Sequence, residues 1–141
     1  MTLGTAEWRL GIVWMIGSGL LFLVLVAQSM GDYYDPRTEE AWGWFLPAVM
    51  PTLSLIVGTL FGDTAKPAVR RQRIQPRLFR LAVALSVFYL LAVAASVFTA
   101  PLVARNVTPL DLMQLSNLWL GPLQGIVAGS LGVFYRQSAK T

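Results

Sequence analysis

Gln124 is the most demanding residue in this 141-residue chain, because its amide stands inside the apolar run LWLGPLQGIVAGSLGVFY. A primary amide carries two donors and two acceptor lone pairs, and in hydrocarbon each of them needs a partner or water. Asn117, Gly121, Gln124 and Ala128 follow the three- and four-residue spacing that puts side chains on one face of a helix. A second group lies at WGWFLPAVMPT, where Pro47 and Pro51 each remove a backbone N–H and free the carbonyls of Gly43 and Pro47. Thr52 adds a hydroxyl beside them. These types can hydrogen-bond across helices, or they can face a water-filled path as a pore lining and gate. The first reading outweighs the second for Gln124, because an interhelical hydrogen bond is the common fate of a membrane amide. For the two prolines, a bend that wedges the helix around its neighbours outweighs a vestibule of water-facing carbonyls.

Covalent chemistry has little to work with. The chain has no cysteine and no histidine, which removes disulfides, thiol redox chemistry, histidine-based triads and nearly every structural zinc site. No phosphate-cradling or metal-ligand motif is present in the sequence. No catalytic residue, metal or cofactor is assigned, and an enzyme is not expected.

The elements that must hold these residues are membrane spans. Hydrophobic residues make up 55% of the chain and charged ones 13%, against about 25% charged in a soluble domain. A helical span needs about 20 apolar residues, and four runs qualify: about 10–30, 41–61, 81–101 and 118–135, none containing a charge. The expected fold class is an all-α integral membrane protein, a single four-helix transmembrane domain whose second helix is kinked at Pro47 and Pro51.

Orientation follows from the basic residues. The loop at 62–80 holds Lys66, Arg70, Arg71, Arg73, Arg77 and Arg80, and with Arg9, Arg136 and Lys140 one side carries nine of the eleven Lys and Arg. The positive-inside rule makes that side, with both termini, cytoplasmic, in a bacterial inner or plasma membrane. Trp42 and Trp44 are expected in the opposite aromatic belt. The basic loop is expected to contact anionic lipid headgroups, or to dock a cytoplasmic protein partner. Nucleic acid is not expected, because the basic residues concentrate in one interhelical segment.

The connections carry their own signals. Asp35 before Pro36, with Thr38 as an alternative, fits the start of the second helix, and Glu39 and Glu40 suit its positive end. Thr108, Pro109 and Asp111 fit a cap, a first-turn proline and a first-turn acid. Residues 109–117 then form either a short surface helix or the first turns of the last span.

Two functions compete. Gly121, Gly125, Gly129 and Gly132 form a small-residue row suited to close helix packing within or between chains. With the polar faces and an outer acidic rim of Asp32, Asp35, Glu39 and Glu40, this points to a homo-oligomeric channel or permeabilising pore favouring cations. The alternative is a non-conducting anchor or assembly subunit that receives a partner on its basic loop.

Overall fold

Apolar segments in hydrocarbon must satisfy every backbone N–H and C=O internally, and the α-helix does so. The computed structural model describes residues 3–62, 76–103 and 107–139. They form α1 (Leu3–Met30), α2 (Thr38–Gly62), α3 (Pro76–Val103) and α4 (Pro109–Ala139). At 1.5 Å per residue, helices of 25 to 31 residues reach about 37 to 46 Å, beyond the ~30 Å of hydrocarbon. All four are long and apolar enough to cross a membrane, as in a multi-pass membrane protein.

Each helix outruns its expected span, because sequence hydropathy locates the apolar run and not the helical ends. α1 reaches back to Leu3 and takes in Glu7. α3 starts on Pro76, a favoured first-turn residue, so Arg77 and Arg80 stand on its opening turns. Lys66, Arg70, Arg71 and Arg73 lie outside the described residues. Residues 109–117 are continuous with α4. Thr108 caps that helix: its Oγ1 accepts from the Asp111 N–H at 3.3 Å and donates to Asp111 Oδ2 at 2.6 Å. α2 opens at Thr38, leaving Asp35 and Pro36 in the preceding turn.

Consecutive helices run antiparallel. Trp42 near the start of α2 bonds Ser29 at the end of α1, and Phe79 at the start of α3 packs against Phe134 near the end of α4. α1 packs on α2 and α3, while α4 packs on the same two, most extensively on α3. One end of the bundle, here the loop end, holds residues 31–37 and the start of α4. The other, the terminal end, holds the start of α1 and the end of α4.

Two glycines permit close approach. A Cβ on Gly17 would stand 2.7 Å from Leu90 Cδ1 of α3, and one on Gly11 would stand 2.9 Å from Leu60 Cδ1 of α2. Trp14, Tyr89, Phe45, Leu10, Ile56 and Leu131 fill the interior. Large apolar side chains also cover the outside, among them Leu23, Leu91, Phe61 and Leu118, a surface suited to lipid and not to water.

The α1–α2 turn is pinned by Tyr34, which is buried and donates its hydroxyl to Gln28 Oε1 at 2.7 Å. Burial, with a smaller contribution from Tyr33, pushes its phenol up to about 12. The folded state therefore holds the proton more tightly than the unfolded one. Its stabilising contribution is complete below pH 10 and is lost between about pH 10 and 12. Replacing Tyr34 with phenylalanine is expected to flatten that alkaline limb of a stability–pH curve in detergent.

Candidate functional site

The proline segment of α2 is where elements from three helices converge. Pro51 has no N–H, so the Pro47 carbonyl loses its helical donor. Gln124 of α4 replaces it, with Nε2 donating to Pro47 O at 3.1 Å and to Ala48 O at 3.2 Å. Tyr89 of α3 donates its hydroxyl to the same Ala48 carbonyl at 2.7 Å. The Tyr89 ring stacks on Trp14 of α1, with centroids 5.9 Å apart and planes at 29°. The helix is continuous through both prolines; Gln124 supplies a donor at the Pro47 carbonyl, where the ladder is open, and Tyr89 ties down the next carbonyl along.

Gln124 and Thr52 therefore face into the bundle, where Thr52 is buried and Gln124 half-buried. Pro47, Pro51 and Asn117 are exposed on its surface. Clefts of about 160 Å³ between α1 and α2 and about 340 Å³ between α3 and α4 open on the bundle surface, and neither is lined by Gln124 or Thr52.

The Gln124 contact has a direct test. Gln124→Leu leaves the Pro47 carbonyl without a donor and is expected to cost about 1–2 kcal/mol, between the penalty for an orphaned buried group and the smaller values measured in membranes. Pro51→Ala returns a helical N–H to that carbonyl, so the double variant is expected to recover much of the loss. Reversible unfolding in mixed micelles reads both.

The glycine row points elsewhere. A Cβ placed on Gly121, Gly125, Gly129 or Gly132 meets nothing within 4 Å. Leu120, Val127, Leu131 and Phe134 bury one side of α4, and at 100° per residue Gly125 and Gly129 stand on the opposite side. Pro122 is exposed on that outward side and leaves the Leu118 carbonyl without its helical donor. Asn117 is exposed on a different side of the helix, the one that carries Gln124.

At the loop end, Arg37 donates to both oxygens of Glu40 at 2.6 Å and lies 3.7 Å from Asp111. These bonds keep the guanidinium firmly protonated. Gln114 Nε2 donates to Glu40 at 3.0 Å, tying α4 to α2. Asp32, Asp35 and Glu39 are exposed at the same end. Trp42 donates to Ser29 at 3.1 Å. Trp44, expected in a surface belt, is instead buried, with Nε1 donating to Ser116 Oγ at 3.1 Å. Its neighbours in the chain offer no hint of that partner, 72 residues away.

Two residues escaped sequence reasoning. Tyr89 carries no sequence signal for its role, because its acceptor is a backbone carbonyl on another helix. Glu7 precedes the first apolar run, yet it is buried at the terminal end. The signal available was a lone acid one helical turn before an uninterrupted apolar run.

Among the described residues, no group of three or more acidic side chains is placed to hold a metal ion. Compared with known protein families, curated proteins and solved structures, the chain matches none.

Proposed function

We propose that the chain is a subunit of a homo-oligomeric membrane channel or membrane-permeabilising pore assembled around α4. The carrying observation is the outward face of α4. It is the least apolar and least buried of the four helices, and it turns Gly125 and Gly129 away from its own bundle with open space around them. Small residues at that spacing let helices of neighbouring chains approach closely. The same face offers a polar group, the Leu118 carbonyl freed by Pro122. Large side chains fill the interior of one chain, so the conducting path runs between chains.

Both termini and the basic segment face the cytoplasm of a bacterial inner or plasma membrane, on the strength of the Lys and Arg distribution. Asp32, Asp35 and Glu39 then surround the outer mouth and favour cations. α2 bends at Pro47 and Pro51, where its ladder is open. Subunit counting in lipid nanodiscs, with conductance in planar bilayers, tests the reading. A ring of fixed size that conducts supports it, and a silent monomer overturns it.

A second reading is favoured by Arg77 and Arg80, both exposed on the first turns of α3. They offer a basic surface to anionic headgroups or to an acidic cytoplasmic partner. Loss of a stoichiometric partner on Arg77→Glu with Arg80→Glu, without loss of the fold, would favour the anchor role.

A further inference from the structure

The Ala48 carbonyl is oversubscribed. A carbonyl oxygen has two lone pairs, and an α-helix already brings it the N–H of residue 52. Tyr89 and Gln124 add two more donors, at 2.7 and 3.2 Å. Thr52 is the residue whose hydroxyl would ordinarily turn back to that oxygen, four residues earlier on its own helix. Ser29, Ser96 and Thr99 all do this, at 2.8, 3.0 and 2.6 Å. Thr52 Oγ1 does not, and it is buried with no hydrogen-bond partner. Its natural acceptor is taken.

The polar groups divide at this point. The cross-helix bonds of Trp42, Trp44, Gln114, Gln124 and Tyr89 all meet α2 or α1 on the loop side of residue 49 or at the adjoining turn. Toward the terminal end, Thr52 Oγ1, Ser86 Oγ and Trp14 Nε1 are buried without hydrogen bonds, one on each of three helices. Orphaned polar atoms in an apolar interior raise the energy of the packing that contains them. A packing that gives them partners or water recovers that cost, and the prolines give α2 a place to bend.

We propose that the Ala48 carbonyl is the switch point of a two-state latch. In the latched state, the one described above, Gln124 and Tyr89 hold the proline segment. In the released state Thr52 Oγ1 donates to Ala48 O, Gln124 and Tyr89 let go, and α2 bends at Pro47–Pro51. Residues 38–48 stay tied to α4 and α1, and residues 52–62 move, opening the orphaned layer to water. This motion belongs to one chain and stands whether or not chains assemble.

The chain has no cysteine, so paired cysteines carry spin labels without background. One pair, Glu39→Cys with Leu118→Cys, reports the fixed half. The other, Gly58→Cys with Val133→Cys, reports the moving half. All four positions are exposed. In full-length protein in lipid, the 39–118 pair is expected to give one narrow distance peak and the 58–133 pair two. Thr52→Val removes the competing donor while keeping the side-chain shape, so the 58–133 pair should collapse to one peak. Amide exchange over 53–60 should then slow roughly tenfold, as a population shift toward the latched state requires. Thr52→Ser keeps the hydroxyl and should behave like the parent. A single narrow 58–133 peak in the parent overturns the proposal, and so do two peaks that persist in Thr52→Val.

Discussion

Gly125→Leu is expected to break the assembly while leaving the single chain folded. Gly125 stands opposite the buried side of α4, and a Cβ there meets nothing within 4 Å, so a leucine costs the isolated bundle almost nothing. Between two closely packed α4 helices the same leucine forces them apart. Overpacking of this kind costs about 1–3 kcal/mol per contact, and a closed ring repeats it at every interface. Subunit counts in nanodiscs should fall to monomer, and conductance should fall with them. Gly19→Leu is the control. Gly19 also has open space around it, but on α1, which the proposed ring leaves facing lipid. An unchanged oligomer in Gly125→Leu would remove α4 from the interface.

Trp14→Ala is expected to be the most damaging single change to the fold. The indole is fully buried and stacks on Tyr89, the residue that holds the Ala48 carbonyl. In a soluble core, truncating tryptophan to alanine costs about 3–5 kcal/mol, part transfer and part cavity. In a bilayer the transfer part largely vanishes, because lipid is as apolar as the interior. What remains is lost packing, roughly 2–3 kcal/mol when about half of the soluble value survives. Trp14→Phe keeps a ring against Tyr89 and removes the unpartnered Nε1, so its cost should be well below that of alanine. Thermal unfolding in bicelles separates the two. Equal losses would show that the stacked ring matters less than the volume it fills.

Four helices were legible because hydrophobic runs of spanning length leave the backbone few alternatives. The Thr108–Asp111 cap was legible as well, since a cap is a contact between residues three apart, and it forms as its residue types require. Helix ends were read less well. Pro76 and the segment before residue 10 are compatible with helix, but they are not apolar, so hydropathy missed them. Gln124 was marked as an amide in need of a partner, and its need was read from chemistry alone. Which partner it takes depends on register between α4 and α2, 77 residues apart.

The sequence by itself determined that this chain is four apolar helices, that cysteine and histidine chemistry are absent, and that Pro47 and Pro51 open the ladder of α2. Those properties are local: each follows from residue type or from spacing within one helix. Only the tertiary structure decided that Gln124 closes that opening at Pro47 while Tyr89 holds the Ala48 carbonyl beside it, that Thr52 is left without an acceptor, and that the glycine row faces outward. Periodicity marks faces of a helix but carries no information on which face a neighbour covers. In a membrane helix apolar nearly all round, lipid and protein contacts look alike in the sequence, and only the packing of distant segments separates them.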